Sequence, residues 1–182
     1  HEVASSWTNP LSITRSNITL IGQGIGETTI LGGISIEEVQ NITLKQLTVT
    51  NTNGQGIGIV VHGAEIELVD VATVHCGQIG IYVHSTYAYP TQLVATRCEI
   101  SNNGSTGLSI GNNNNISNNV CLKNCISHHN SMSGIYVNGK GVVNIHGDAT
   151  AIHSNTEYGI FAYISAKVLL HLPSHHNTSY NN

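Results

Sequence analysis

The sequence has few charged residues, and this shortage excludes one large class of partner. Only 9% of its 182 residues are Asp, Glu, Lys or Arg, against roughly a quarter in an average globular protein. Six basic residues, scattered along a chain of net charge −4, cannot form the positive surface that nucleic-acid binding requires. We therefore expect no nucleic-acid partner.

Long apolar runs and helix-forming stretches are also missing. No segment approaches the roughly 18 consecutive apolar residues of a membrane span, and Gly, Asn and β-branched residues interrupt every helix-compatible window. No signal peptide is recognisable, although the chain begins at His1 as though cut from a longer protein. We expect an all-β protein without a membrane span, at an extracellular location or on the surface of a particle.

What the sequence does contain is an internal repeat. A glycine followed by an apolar residue recurs. In the positions after it, apolar residues that face inward alternate with residues that face outward, which is the pattern of a half-buried strand. Strands this short cannot bury their apolar face alone, so successive repeats must stack on one another. The strand positions are Leu44, Leu68, Ala95, Leu122, Ile145 and Leu170, and the glycine pairs are Gly56-Ile57, Gly80-Ile81, Gly107-Leu108, Gly134-Ile135 and Gly159-Ile160.

The repeat predicts one domain over residues 1–182, a single-stranded right-handed parallel β-helix of about six coils. We place an N-terminal approach or cap at residues 1–16, the coils at 17–172 and a C-terminal tail at 173–182. A tail of this length is too short to cover the end of a solenoid. We therefore expect end-to-end self-association, or a further domain, at the C-terminal end.

A small polar turn recurs once per coil. Because Asn and Gly tolerate a left-handed backbone, and because stacked Asn side chains can hydrogen-bond along a column, we predict a structural asparagine ladder. In a separate column, Cys98 and Cys125 are expected to be free, buried thiols. The turn positions are Asn53, Cys76, Asn103, Asn130, Asn155 and Asn177.

Three groups of residues are candidates for ligand binding. Exposed aromatic rings suit sugar rings or apolar surfaces, loops grown from a rigid repeat often carry function, and imidazoles can bind sugars or metals. Each group also has a purely structural explanation, as surface strand residues, tolerated insertions or a polar ladder. The aromatic column consists of Tyr82, Tyr136 and Phe161, interrupted by Ser109, with Tyr163 near its end; two expanded turns contain Tyr87, Tyr89, Asn113 and Asn114; the histidine column consists of His128, His153 and His175.

The coil pattern resembles the right-handed parallel β-helix proteins of the pectate-lyase-like superfamily. The resemblance rests on a strand, an Asn-Gly-type corner, a Gly-Ile-Tyr-Val strand at 80–83 and a variable turn, and it covers roughly residues 13–172. It is greatest to repeats grouped with periplasmic copper-processing and mannuronan-epimerase proteins. It implies extended polysaccharides as ligands, lying along a parallel sheet.

The catalytic pattern of those families does not carry over. Their lyases use clustered Asp residues with an Arg or Lys base, and their epimerases use a Tyr/His/Asp set. Here Asp70 and Asp148 lie about three coils apart, and neither Arg15 nor Arg97 has an acidic cluster in its neighbourhood. Fold alone does not supply function when the site is missing.

We therefore expect a non-catalytic module, a rigid structural or polysaccharide-binding rod at a cell or particle surface. No cofactor and no metal site is expected. Two alternatives remain open. One is a carbohydrate-active enzyme (a polysaccharide lyase, epimerase or hydrolase) that uses His and Tyr side chains, and the other is a fibre or spike assembly unit of a virus or an appendage.

Overall fold

The computed structural model describes residues 10–86, 88–111, 116–173 and 178–182. Within these residues the chain forms short β-strands and no helix, and hence no helix that could cross a membrane. One sheet has seven strands, numbered in chain order: β1 (Leu11–Ile13), β4 (Ile34–Glu37), β6 (Ile59–His62), β8 (Ile81–His84), β11 (Leu108–Ile110), β14 (Ile135–Asn138) and β17 (Ile160–Tyr163).

The other sheet has twelve strands and bends into two faces, so that each coil has three sides. Strands β5 and β7 run across the bend, and each places one residue, Gln46 or Asp70, in the left-handed region at φ 53°. The strands are β2 (Thr19–Ile21), β3 (Thr29–Leu31), β5 (Ile42–Thr50), β7 (Glu65–Val74), β9 (Gln92–Thr96), β10 (Glu99–Ser101), β12 (Asn119–Lys123), β13 (Ile126–His128), β15 (Val142–His146), β16 (Ala151–His153), β18 (Lys167–His171) and β19 (Ser179–Tyr180).

Every strand pairing is parallel, and the chain is a β-solenoid of about six turns, as the repeat predicts. The register confirms the predicted strand column from Leu44 to Leu170 at all six positions. These side chains point inward and form one continuous core with the apolar residues of the seven-stranded sheet. The column is buried except in the last coil, where the Leu170 side chain is 56% exposed.

One glycine pair of the predicted repeat is wrong. In the second coil, the residue that pairs with Ile81 is Ile59, so the equivalent pair is Gly58-Ile59 and not Gly56-Ile57. Gly56 instead lies against the buried Asn51, where a Cβ would come within 2.4 Å of the Asn51 Oδ1. The coil corner therefore extends two residues further along the chain than the sequence pattern indicates.

The asparagine ladder is present and runs along one corner. Asn103 Nδ2 donates to Asn130 Oδ1, Asn130 Nδ2 donates to Asn155 Oδ1, and Asn155 Nδ2 donates to Asn182 Oδ1, each at 2.9 Å. Cys76 interrupts the ladder, because its backbone N–H, and not a side chain, donates to Asn103 Oδ1.

Both ends of the predicted ladder need correction. Asn51, and not Asn53, is the equivalent of Cys76 on the preceding coil, since Gly77 N donates to the Asn51 carbonyl just as Gly104 N donates to the Cys76 carbonyl. At the other end Asn182 occupies the position assigned to Asn177, which lies outside the described residues. The left-handed residue of the corner is also one position earlier than expected, at His75, Asn102, His129, Ser154 and Asn181.

Strand pairing extends into both segments that the sequence analysis places outside the coils. β1, inside the stretch 1–16, pairs with β4, and β19, inside the stretch 173–182, pairs with β16. In the described part of the chain, the paired strands therefore extend from residue 11 to residue 180.

Cys98 and Cys125 are free thiols buried in adjacent coils, as expected from the sequence. Their Sγ atoms contact the carbonyl oxygens of Leu68 and Ala95. A hydrogen bond with the Cys125 thiol and burial together raise the pKa of Cys98. A thiol with a raised pKa stays protonated, and both cysteine side chains are part of the hydrophobic core.

Candidate functional site

The outward face of the seven-stranded sheet carries the predicted aromatic column. The register aligns Tyr82 with Ser109, Ser109 with Tyr136, and Tyr136 with Phe161. The three rings are half-buried, and Ser109 is only 8% exposed between Tyr82 and Tyr136. The column is therefore a surface of fixed rings, because its side chains pack on their neighbours instead of projecting freely into solvent.

The C-terminal part of this column widens into an aromatic cluster. The Phe161 ring lies 5.6 Å from Tyr136, 5.0 Å from Tyr158 and 6.3 Å from Tyr163 between ring centroids, with interplanar angles of 10–25°. Tyr158, which the sequence analysis did not single out, is half exposed, and so is Tyr163. Nearly parallel rings of this kind offer flat apolar surface to a ligand.

A second column lies beside the aromatic one and was missed at the sequence level. The register aligns Glu37 with His62 and His62 with His84. The ring of His84 stacks on that of Tyr82 at 5.7 Å, while His62 lies edge-on to both, at 6.0 Å from Tyr82 and 5.5 Å from His84. A signal was available, because Ile-Val-Val-His at 59–62 recurs as Ile-Tyr-Val-His at 81–84.

Gly111 makes room for these rings on the next coil. A Cβ at this position would lie 2.7 Å from His84 Cδ2 and 3.2 Å from the Tyr82 hydroxyl oxygen. Any larger residue would therefore displace the two rings. The glycine at position 111 therefore helps to set the positions of the Tyr82 and His84 rings.

A groove of about 470 Å³ opens at this cluster. It lies at the edge of the seven-stranded sheet, where β4, β6 and β8 end and an expanded turn follows β8. In that turn Thr86 Oγ1 accepts the backbone N–H of Tyr89 at 3.1 Å, which holds the turn closed. The described residues that line the groove are Glu37, Glu38, His62, Tyr82, His84, Ser85, Thr86 and Ala88.

Burial sets the protonation states in the groove. It lowers the pKa of His62, and the neighbouring His84 lowers it further, while the charge of Glu37 acts in the opposite direction. Burial also raises the pKa of the Tyr82 hydroxyl. At neutral pH the groove therefore presents an uncharged His62 imidazole and a protonated Tyr82 phenol.

Among the described residues, two buried polar atoms on this face have no hydrogen-bond partner, His62 Nε2 and Asn138 Oδ1. Asn138 pairs with Tyr163, in the same column as His62 and His84. Buried polar atoms are normally paired, since an unpaired one costs free energy.

The expanded turns are only partly described. Tyr89 is exposed near the groove, in the turn after β8. Tyr87, Asn113 and Asn114 lie outside the described residues, so their predicted role stays a prediction.

The histidine column lies on the twelve-stranded sheet, away from the groove. His128 stacks on His153 at 5.1 Å, as predicted, but the next ring is Tyr180, stacked on His153 at 4.9 Å. Tyr180 aligns with His153 because β19 pairs with β16 in this register. His175 itself lies outside the described residues.

Two acidic residues have partners that the sequence analysis did not anticipate. Glu99 Oε1 lies 3.3 Å from His128 Nε2, so a carboxylate does accompany the histidine column. Asp70 accepts two hydrogen bonds from the Arg97 guanidinium, both at 2.7 Å, and this lowers the pKa of Asp70. Asp70 is thus part of an inter-coil ion pair.

A second, smaller groove of about 280 Å³ lies on the twelve-stranded sheet, where Glu65 and Glu67 are among the lining residues. Across the described ranges, no three His, Cys, Asp or Glu side chains form a group that could hold a metal ion. The groove at Tyr82 is the larger of the two, and its lining includes histidine and tyrosine side chains that the second groove does not have.

Comparison with known protein families agrees with this architecture. The family model described as "Right handed beta helix region" matches residues 80–180. The chain belongs to this family. The matched segment includes strands β8 to β19 of the right-handed β-helix, and the earlier strands continue the same parallel ladder.

No curated protein and no solved structure matches this right-handed β-helix. The family match and the parallel β-solenoid confirm the resemblance stated from the sequence, which extends to the fold only. Because β-helices of one fold carry different sites, function has to be argued from the groove and the aromatic column themselves.

Proposed function

We propose that this right-handed β-helix is a non-catalytic module that binds polysaccharide along the outward face of its seven-stranded sheet, at a cell or particle surface. The observation that carries the proposal is the column of Tyr82, Tyr136 and Phe161, whose half-buried rings lie on successive or alternate rungs. Rungs are about 4.8 Å apart, so an extended polymer that lies along the column meets one ring after another.

Rigidity of the scaffold favours such a ligand. The rings are attached to short paired strands, and each ring packs on a neighbouring ring, Tyr82 on His84 and Tyr136 on Phe161. Little side-chain freedom is therefore lost when a sugar stacks on them. A polymer with several units can contact the rings near Tyr82 and those near Phe161 at once, and the second contact is then intramolecular. Weak stacking at each ring thereby adds up to useful retention.

The groove beside Tyr82 supplies the polar half of the recognition. Its carboxylates and the neutral His62 ring can accept hydrogen bonds, and the Tyr82 hydroxyl can donate one. A binding site of mostly apolar surface with a few placed polar groups is the usual composition for small-ligand recognition.

Retention on a panel of neutral and charged polysaccharides tests the proposal. Replacing both rings, by Tyr82→Ala with Tyr136→Ala, should lower the affinity for a retained polysaccharide about tenfold or more, with the β-sheet circular-dichroism spectrum unchanged. Unchanged retention by this double variant would remove the aromatic column from the account.

A matched glycine pair provides the control. Gly111→Ala should weaken binding because its Cβ displaces the His84 and Tyr82 rings, whereas Gly54→Ala should not, because a Cβ at 54 meets nothing within 4 Å. Both substitutions add one methyl group at a coil turn. An equal loss of polysaccharide affinity in both variants would therefore show that the loss comes from reduced protein stability and not from a change in the binding site.

A carbohydrate-active enzyme is the second candidate, favoured by one observation. Glu37, His62, Tyr82 and His84 line a single groove, and these side-chain types can serve as general acids and bases. Product analysis on the retained polysaccharides distinguishes the two. New reducing ends, unsaturated sugars or epimerised units that disappear with His84→Gln would favour the enzyme, and intact glycan would favour the binding module.

A further inference from the structure

Resting on the proposed function, we propose that the groove at Tyr82 selects an ammonium-bearing sugar unit and disfavours a uronic acid unit. The ligand class is thus an amino-substituted polysaccharide. The inference deepens the binding function by naming the charge of the unit that occupies one site, and it is carried by the charges and donor types that face the groove.

The charge of the groove is one-sided. Glu37 and Glu38 contribute two carboxylates, and none of the described lining residues is Lys or Arg. The seven strands of the sheet, β1, β4, β6, β8, β11, β14 and β17, also contain no Lys or Arg, so no cation stands on the column that a polymer would follow. A uronate placed here would face two like charges without a compensating partner.

The hydrogen-bonding groups favour the same sign of charge. Ionised carboxylates only accept hydrogen bonds, and an ammonium group only donates them, with three N–H bonds to distribute. The His62 ring is uncharged at neutral pH for the reasons given above, so one of its nitrogens is an acceptor and the ring does not offset the charge of the carboxylates. A carboxylate ligand would find fewer donors than acceptors in this groove.

The aromatic wall adds a third contribution. The Tyr82 ring, stacked with His84, lines the same groove as the two carboxylates. The face of a tyrosine ring attracts a cation that lies within about 6 Å of its centroid. The tyrosine ring, the carboxylates and the neutral imidazole thus all favour a positively charged ligand group. The second groove contains Glu65 and Glu67 but no aromatic residue among its lining residues.

The test compares three hexasaccharides of the same β-1,4 linkage at pH 7, where the His62 ring is uncharged: glucosamine, in which part of the amino groups carry an ammonium charge, N-acetylglucosamine and glucuronic acid. Dissociation constants from calorimetry should rank glucosamine tightest and glucuronic acid weakest. The double variant Glu37→Gln with Glu38→Gln should reduce the glucosamine-to-glucuronate affinity ratio about tenfold, as expected for the loss of two partly exposed charge pairs.

The matched control is Glu65→Gln with Glu67→Gln, which removes the same number of charges from the second groove and should leave the affinity ratio unchanged. An equal effect of the two double variants would show that net charge acts, and would overturn the inference. Binding of all three hexasaccharides with equal affinity would overturn the inference and leave the proposed function in place. Binding of none of them, together with no retention on the polysaccharide panel, would overturn both.

Discussion

Asn130 shows how one buried side chain joins three coils. Its side chain is fully buried, and its Oδ1 accepts the backbone N–H and the side-chain amide of Asn103, at 3.3 and 2.9 Å. Its Nδ2 donates to Asn155 Oδ1 at 2.9 Å and to the Ile100 carbonyl at 3.2 Å. Both ends of the amide are thus used, so the corner has almost no polar atom left without a partner.

Removing this amide should be costly. We expect Asn130→Ala to lower the free energy of unfolding by about 2–4 kcal/mol, because the Asn103 backbone N–H and the Ile100 carbonyl lose this hydrogen-bond partner in a buried corner and the link to Asn155 Oδ1 is shortened to the backbone. Urea unfolding followed by circular dichroism measures the change. The control is Asn119→Ala, which removes an exposed contact with Asn144 at 3.1 Å and should change stability by less than about 0.5 kcal/mol; equal losses would contradict the assignment.

At the residue scale, the sequence could show that a ladder exists but not every position in it. Gly56-Ile57 and Gly58-Ile59 are the same dipeptide, and they lie two residues apart. Alternation has a period of two, so both choices place the same side chains inside. Only the pairing of Ile59 with Ile81 decides between them, and the same ambiguity separates Asn51 from Asn53.

At the element scale, the inward column of the twelve-stranded sheet can be compared rung by rung. Leu122 in β12 has paired strands on both sides, and its side chain is 2% exposed, whereas Leu170 in β18 has a paired strand on one side and is 56% exposed. Residue type and column are the same at both positions. The difference in burial therefore comes from the number of neighbouring coils alone.

This comparison gives a prediction for the two strands. Leu122→Ala should destabilise the protein by about 2–5 kcal/mol, since it leaves a cavity between two coils. Leu170→Ala should cost less than about 1 kcal/mol, because much of that side chain is already in contact with solvent. Midpoints of urea unfolding for the two variants provide the measurement, and a cost at Leu170 as large as at Leu122 would mean that another surface covers the last coil.

The sequence indicated Tyr82 and the expanded turn after it as candidates, but not that they form one groove with His62 and the two glutamates, because these residues come from the ends of different strands. The aromatic column could be predicted, since alternation fixes which side of a strand Tyr82 and Tyr136 face. His62 and His84 lie at the last positions of β6 and β8, where the pattern merges with the turn. Their contact with Tyr82 depends on the space above Gly111, and nothing in the periodicity of the sequence indicates that space.

At the scale of the whole molecule, the protein is a one-dimensional stack in which each coil contacts only its neighbours. Stability in such a stack is a sum of coil terms and interface terms, and an end coil has one interface fewer. The last coil also contributes less core, because most side chains of β17 and β18 are exposed or only half-buried. Opening of this coil should therefore require less free energy than global unfolding.

Hydrogen exchange followed by mass spectrometry tests this gradient. Peptides that contain β17 and β18 should exchange at least about tenfold faster than those that contain β8 and β12, because exchange there needs only local opening. The same gradient divides the proposed binding face, since Phe161 and Tyr163 belong to β17 whereas Tyr82 and His84 belong to β8, with a paired strand on either side. The groove would then be rigid and the far end of the aromatic column adaptable, so a bound polysaccharide should slow exchange in β17 far more than in β8. Uniform protection along the chain, with or without ligand, would contradict both the gradient and this division of the face.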